Sequence, residues 1–286
     1  MIKASGEVLK VYQTGDRPIL VLCSDGSHYI CKYKHPGYAA YKLVNELVGG
    51  SFAKVWRIAT PGTSLVVNDP IIWDDAGISH DPVAPLLGSR KMEDVFDLGE
   101  YNCNQVEASR RVLSQLFWIA LFDLWLANED RTCNNYNLLY DLRNKRLVSI
   151  DYGGIFNSGI LNNPMYQLNA SDSIVSSDLF CRLKSADTQR LLSGMHNMYL
   201  RVVAKCKKTV PVIIDSIPPE WDVEKTTLER KLQELFAVEW INDTWFNFKD
   251  LIEIGKDALS IISGRKSITG TFKSIASAIK KISSWF

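Results

Sequence analysis

The segment NEDRTCNNYNLLYDLRNKRLVSIDYGG, which contains Asp130, Asn135 and Asp151, constrains the fold of this chain more than any other stretch. Its two short apolar runs, LLY and LVSI, are joined by a polar turn, which predicts two strands of one hairpin. Asp130 and Asn135 precede the first run, and Asp151 directly follows the second. Burying polar groups costs free energy unless they are hydrogen-bonded or paired with other groups. Their presence beside two apolar strands therefore predicts a functional site.

The spacing of these three residues indicates a particular chemistry. Phosphoryl transfer needs a carboxylate near the acceptor hydroxyl and a few oxygen ligands for Mg²⁺. Asp130 and Asn135 have D-x-x-x-x-N spacing, in which the aspartate meets the acceptor and the asparagine holds the metal. Asp151 stands where a kinase keeps its second magnesium ligand. Each residue alone also fits an ordinary turn or cap, but the shared spacing favours the site.

The first third of the chain predicts a β-meander that would supply a cation. Strands are expected at 8–12, 19–23 and 29–33, with Asp25-Gly26 as the turn between the last two. In the run YICKYK the alternation of side chains sets Lys32 apart from the apolar face of its strand. Lys34 lies on the same face, and alternation alone does not separate the two lysines. We predict that Lys32 binds the phosphates of ATP and is part of the catalytic set.

Two neighbouring segments complete the predicted nucleotide site. A helix is expected over 38–52, loosened near its end by two glycines. Its Glu46 would hold Lys32 in position. The alternative is that Glu46 is an ordinary solvated residue of the helix. The loop YQTGDRP would cover the nucleotide through Gly15 and Arg17, although it contains no G-x-G-x-x-G.

The region from Thr60 to Met92 is predicted to be the passage between two lobes. It is rich in proline, glycine, aspartate and asparagine, around one short strand at 64–67 and a second extended run, LLGSRKM. Adenine is expected against this second run, with Ser89 and Arg90 among the nucleotide-binding residues.

The second half of the chain is predicted to be helical. An apolar segment over 106–127 indicates a central helix, and two or three helices are expected over 176–208. Apolar residues recur at steps of four and three in the C-terminal tail, at 268–286, and predict a helix with one apolar face. Docking on the chain's own second lobe, self-association and adsorption to a membrane surface remain open for it.

Composition excludes several other classes of protein. The chain has 33 basic and 32 acidic residues, a net charge of +1, so we expect no nucleic-acid partner. Its six cysteines lack metal-ligand spacing, which fits a reducing compartment. The beginning of the chain does not resemble a signal peptide, and no apolar run is long enough to span a bilayer. We expect a soluble, cytoplasmic protein.

Several motifs together resemble the HipA-like kinase family, in particular its compact single-chain branch. They are FDLWLANEDRTCNNYNLL and LVSIDYGGIF, preceded by DGSHYICKYK and LVNELV and followed by IPPEW. The resemblance covers roughly residues 5–221. It implies ATP with Mg²⁺ and phosphorylation of a protein on serine or threonine. It makes Asp130 the catalytic aspartate, Asn135 and Asp151 the metal ligands, and Lys32 the phosphate-binding lysine.

The expected architecture is an α+β, bilobal, protein-kinase-like fold. We predict a β-rich N-terminal lobe over 1–93, a helical C-terminal lobe over 94–221 and a C-terminal helical extension over 222–286. The chain lacks the H-R-D and D-F-G triplets of ordinary protein kinases, because NED and DYG stand in their places. A nucleotide-binding pseudokinase that acts as an interaction module, and a lipid or small-molecule kinase, are the alternative functions.

Overall fold

A computed structural model describes residues 1–35, 40–67, 83–99, 102–107, 109–159, 161–183 and 188–262. The chain order of its strands and helices is β1 (Ile2–Val11), β2 (Ile19–Cys23), β3 (His28–Lys32), α1 (Tyr41–Val55), β4 (Thr63–Val67), β5 (Leu86–Arg90), β6 (Val95–Asp97), α2 (Arg110–Leu126), β7 (Leu138–Asp141), β8 (Arg146–Ser149), α3 (Ile155–Ser158), α4 (Asp178–Leu183), α5 (Thr188–Asp215), α6 (Lys225–Glu234) and α7 (Val238–Ile262). The fold is thus mixed α+β, with a β-rich N-terminal part and a helical C-terminal part.

The N-terminal part is a closed five-stranded barrel with the strand order β1-β2-β3-β5-β4. The predicted meander is confirmed, because β1, β2 and β3 pair in antiparallel sequence. Alternation along β3 buries Tyr29 and Cys31 in the barrel core with Ile19 and Val21, and leaves Lys32 on the other face. The period of two thus decides which side chain of this strand is available to a site.

The segment predicted as the passage between lobes is partly barrel. Strand β4 pairs with β5 and also with the first residues of β1, which closes the barrel. Residues 63–67 and 86–90 are therefore barrel strands, and the expectation that these two runs belong to the passage between lobes was wrong. Strand β6 was not predicted, since its three residues are too few to show an alternation, and it pairs with β7 beside β8.

Helix α1 runs through its two glycines instead of ending near them. It continues to Val55, past the predicted end at Phe52. A Cβ atom on Gly49 would lie 2.4 Å from the Cβ of Tyr152, far inside van der Waals contact. Gly49 therefore permits a close approach between α1 and the chain after Asp151, which explains a glycine in mid-helix.

The predicted central helix is α2, at the middle of the helical part. Ser109 caps its first turn by accepting a 3.2 Å hydrogen bond from the Val112 amide, and Ala127 ends it in the left-handed conformation with φ of 49°. Trp125 on α2 stacks on Trp56 with ring centroids 5.5 Å apart. Buried residues of α5, α6 and α7 belong to the same core, among them Tyr199, Leu228 and Phe248.

Two hydrogen bonds join the segment before α6 to the barrel side of the molecule. The indole of Trp221, which is fully buried, donates a 2.8 Å bond to the carbonyl of Pro85. The ammonium of Lys34 donates a 3.1 Å bond to the carbonyl of Glu220.

Within the described residues, no helix has the length and apolar character that a membrane span requires. The predicted tail helix at 268–286 lies outside the described residues.

Candidate active site

Lys32 lies at the centre of a charged cluster assembled from three elements. Its Nζ atom is 2.8 Å from Oδ1 of Asp151 and donates a second, short hydrogen bond to Oε1 of Glu46. The Lys32 side chain is only 15% exposed, and that of Glu46 is 11% exposed. A strand, a helix and the end of a hairpin thus converge on one ammonium group, and three residues that the sequence singled out are brought together.

Glu46 also holds the backbone that follows Asp151. Its Oε2 atom accepts a 2.9 Å hydrogen bond from the Tyr152 amide. The preceding residue of α1, Asn45, donates a 3.1 Å hydrogen bond to the carbonyl of Gly153. Both bonds run from one turn of α1 to adjacent residues of the same loop, so α1 fixes the loop that carries Asp151.

The cluster separates the pKa values of its two carboxyl groups. Burial, with the nearby charge of Asp151, raises the pKa of Glu46 to about 7, against the opposing effect of Lys32. Burial would also raise the pKa of Asp151. The charge of Lys32 and hydrogen bonds from its neighbours, including the Gly153 amide, outweigh burial there and lower the Asp151 pKa below its ordinary value. Asp151 is therefore the firmly ionised member of the pair.

Asp151 has a strained backbone. Its φ of 58° lies in the left-handed region, which non-glycine residues adopt at a cost. Strain of this kind persists where the surrounding contacts hold it, and it concentrates at functional sites. Here the contacts are the salt bridge to Lys32 and the bond from the Gly153 amide at 3.2 Å.

Asp130 is held by two asparagine side chains. Its Oδ1 atom accepts a 2.9 Å hydrogen bond from Nδ2 of Asn135, and its Oδ2 atom accepts a 3.0 Å bond from Nδ2 of Asn137. Burial, with the negative charge of Asp151, raises the pKa of Asp130. A carboxylate with a raised pKa, fixed in orientation, is suited to accept a proton.

A buried arginine, Arg131, holds the loop that carries Asp130. Arg131 has no exposed surface and forms a 2.8 Å salt bridge with Asp123 of α2. Its guanidinium also donates to the carbonyl of Ile150, at 3.1 Å, and to Oγ of Ser149, at 2.7 Å. One side chain thus joins α2, the Asp130 loop and the strand end that precedes Asp151. This role of Arg131 was not predicted from the sequence.

The donor set fits magnesium. Asn135 uses its amide nitrogen on Asp130, which leaves its carbonyl oxygen as the atom suited to a metal, and Asp151 offers an ionised carboxylate. Oxygen ligands of this kind are what Mg²⁺ prefers, with water and phosphate oxygens completing its shell. Among the described residues there is no group of three histidine, cysteine or acidic side chains placed to hold a metal by themselves.

Four further residues were predicted to bind the nucleotide. Gly15 and Arg17 are on the loop between β1 and β2, and both are exposed. Ser89 of β5 pairs with Ile30 on the neighbouring strand β3, whereas Lys32 of β3 pairs with Leu87. Arg90 lines a polar cavity of about 320 Å³ together with residues 60–62 and the turn between β7 and β8. The roles of these four residues remain predictions.

Two charged residues near Lys32 were not predicted from the sequence. Asp16 lies in the β1–β2 loop, with a carboxylate oxygen 3.2 Å from Nζ of Lys32. Its other oxygen is 3.0 Å from Nζ of Lys42, in the first turn of α1. Neither residue belongs to a recognised motif, so only their three-dimensional placement identifies them.

A β-barrel whose Lys32 pairs with Glu46 of α1, joined to a part that carries the metal-ligand candidates, is the arrangement of a kinase-like fold. The fold is similar to the crystal structure of the Helicobacter pylori proinflammatory kinase CtkA, with a TM-score of 0.53 and 14% identity over 89% of this chain and 99% of that chain. The HipA-like kinase model matches residues 6–247. The chain belongs to the HipA-like kinase family.

A second solved structure is less similar. HipA of Shewanella oneidensis MR-1, solved in a toxin–antitoxin complex with HipB and operator DNA, aligns with a TM-score of 0.40 and 11% identity over 79% of this chain and 60% of that chain. No curated protein matches the chain. Family membership supports a kinase, and the predicted family is confirmed.

Proposed function

We propose that this protein transfers the γ-phosphate of ATP, in complex with Mg²⁺, to a serine or threonine hydroxyl of a protein. The observation that carries the proposal is the convergence of Glu46 and Asp151 on Lys32, next to an Asp130 that is oriented by two amides. This arrangement offers a cation for phosphate, oxygen ligands for a metal and a carboxylate for the acceptor. The choice of a protein acceptor rests on the family resemblance.

Each residue has a distinct part in the proposed transfer. Lys32 holds nucleotide phosphate oxygens, and Glu46 keeps Lys32 in position. Asn135 and Asp151 would hold Mg²⁺, which would supply positive charge against the phosphates. Asp130 orients the acceptor hydroxyl and takes its proton. The acceptor oxygen bonds to the γ-phosphorus, the bond from that phosphorus to the bridging oxygen breaks, and ADP leaves.

The proposal includes a bilobal arrangement with the nucleotide between the β-rich and helical parts. We place adenine against the segment that begins with Leu86, whose neighbour Leu87 pairs with Lys32. Gly15 and Arg17 would then cover the phosphates from the β1–β2 loop, and Ser89 and Arg90 would lie near the base. The lobe boundaries at 93 and 221 are part of the same proposal.

Intact-protein mass spectrometry after incubation with Mg²⁺ and ATP, with and without a mixture of candidate acceptor proteins, tests the transfer. We expect phosphate on the chain or on an acceptor, lost in Lys32→Met, Asp130→Asn and Asp151→Asn. Lys34→Met is the matched control, because Lys34 lies two residues further along the same chain segment and contacts Glu220 instead.

The outcomes separate the proposal from its alternatives. Nucleotide binding without transfer to any acceptor would favour a pseudokinase that acts as an interaction module. Transfer to lipid or small-molecule hydroxyls but not to protein would retain the reaction and replace the acceptor class. Undiminished transfer in Asp151→Asn would contradict the assignment of the metal ligand.

A further inference from the structure

The carboxylate of Asp16 bridges two ammonium groups at the edge of the Lys32 cluster. Oδ2 lies 3.2 Å from Nζ of Lys32, and Oδ1 lies 3.0 Å from Nζ of Lys42. The Asp16 side chain is 20% exposed and that of Lys42 is 38% exposed, so this bridge stands between the buried cluster and solvent. Two cations from β3 and α1 are thereby held on either side of one anion.

The fold of the β1–β2 loop places Asp16 there. The loop is closed at its base by a 2.9 Å hydrogen bond from the Tyr12 amide to the Pro18 carbonyl, and a turn is formed by the Arg17 amide on the Thr14 carbonyl, also at 2.9 Å. The hydroxyl of Tyr33 donates to the Arg17 carbonyl at 3.2 Å. Asp16 therefore projects from a loop with a defined backbone, and its side chain is the part that can turn away.

The bridge is more than the proposed kinase needs from its carboxylates. Glu46 and Asp151 already neutralise Lys32. Each also has a second role, since Glu46 accepts a bond from the Tyr152 amide and Asp151 is a metal-ligand candidate. Asp16 has neither of these two roles. Its two oxygens span Lys32 and Lys42 as two oxygens of a phosphate group would, and both cations suit a phosphate.

We propose that Asp16 occupies a phosphate subsite formed by Lys32 and Lys42, and that its carboxylate must leave both lysines before a nucleotide phosphate binds. Lys42 is then a second phosphate-binding cation, and Asp16 is an internal competitor that weakens nucleotide affinity. The inference rests on the proposed function, since it assigns phosphate to Lys32. It adds the position that this phosphate takes and the group that it displaces.

The competitor acts only on ligands that carry phosphate. Two anions cannot share the space between the same two ammonium groups without strong repulsion. Removing the charge of Asp16 should therefore strengthen binding of a nucleotide or of an inorganic polyphosphate, while adenosine, which lacks phosphate, should bind as before. A general change in fold or stability would not distinguish these ligands.

Equilibrium binding of Mg²⁺ with a non-hydrolysable ATP analogue, of adenosine and of Mg²⁺ with tripolyphosphate tests the inference on the full chain. Asp16→Asn should bind the analogue and tripolyphosphate about fivefold more tightly, and Lys42→Gln about fivefold more weakly, as expected for a partly exposed ion pair. Asp94→Asn and Lys145→Gln are charge-matched controls, because each removes one member of an exposed pair, with Arg143 or Glu107.

The results distinguish failure of this inference from failure of the proposed function. If the analogue binds and Lys32→Gln weakens it, but Asp16→Asn leaves its affinity unchanged or lowers it, the competitor role alone is overturned. An unchanged affinity in Lys42→Gln overturns the second cation. If wild type and Asp16→Asn bind neither analogue nor tripolyphosphate, both the subsite and the proposed function fail.

Discussion

The amide of Tyr152 donates a 2.9 Å hydrogen bond to Oε2 of Glu46, whose other oxygen accepts from Lys32. A single carboxyl group thus binds both the lysine of β3 and the backbone of the residue that follows Asp151. Movement of α1 away from both the barrel and the loop that carries Asp151 would break both bonds. The geometry of Lys32 and that of Asp151 are therefore coupled through one side chain.

Replacing Glu46 with glutamine should lower phosphoryl transfer while leaving the fold intact. The amide oxygen can still accept one bond, but the amide nitrogen is a donor and cannot accept the other, so Lys32 or the Tyr152 amide loses its acceptor. Loss of a partner that orients a ligating group typically costs about 10- to 100-fold in activity. Steady-state transfer rates measure this, and Glu93→Gln is the control, since Glu93 is 74% exposed in a pair with Lys91. Equal rates in Glu46→Gln and wild type would show that the coupling has no catalytic value.

The two glycines of α1 should respond oppositely to alanine. A Cβ at Gly49 would meet Tyr152 at 2.4 Å, whereas the nearest atom to a Cβ at Gly50 is Cγ2 of Thr63 at 3.9 Å. We expect Gly49→Ala to lower the free energy of unfolding by about 1–3 kcal/mol through overpacking. Gly50→Ala should be neutral or stabilise by up to about 1 kcal/mol, since alanine favours a helix. Urea unfolding of both variants provides the comparison, and equal stabilities would contradict the close approach at Gly49.

Removing the guanidinium of Arg131 should destabilise the protein strongly. Arg131→Met leaves Asp123 buried and without its cation, which typically costs about 3–5 kcal/mol. The control is Arg143→Met, which removes a 77% exposed partner of Asp94 and should cost less than about 1 kcal/mol. Chemical denaturation measures both changes. A small effect at Arg131 would mean that the network below the Asp130 loop contributes little to stability.

The six cysteines should fall into two classes of thiol reactivity. Cys23, Cys31, Cys103 and Cys206 are buried, whereas Cys133 and Cys181 are partly exposed. Burial raises the pKa of Cys23 to about 11, with help from Asp25, and that of Cys206 to about 12. Thiolates react with disulfide reagents, so the native protein should label quickly at Cys133 and Cys181 and at the other four only on unfolding. Fast native labelling at Cys206 would contradict the packing of α5.

The sequence predicted the parts of the site that local periodicity controls. Alternation along β3 was enough to place Lys32 on the face opposite Tyr29, and the hairpin pattern was enough to place Asp151 after a strand. Helical spacing predicted a helix that includes Gly49, but it did not reveal why a glycine stands there, because the reason is the side chain of Tyr152, about a hundred residues away along the chain. Asp16 was missed for a similar reason. Its contact with Lys42 depends on how the barrel turns its first loop towards α1, and no short motif encodes that.

The bonds from Trp221 to Pro85 and from Lys34 to Glu220 bear on what happens when the chain is interrupted. A fragment that ends near residue 93 keeps the Pro85 carbonyl and Lys34 but lacks both of their partners. The complementary fragment keeps a large buried indole that has lost its acceptor. Cleavage between β5 and β6 should therefore yield two pieces that recover native structure only when they re-associate, as in a split reporter. Intrinsic tryptophan fluorescence of the mixed fragments, compared with that of each fragment alone, would follow that re-association, because it changes as indoles leave water.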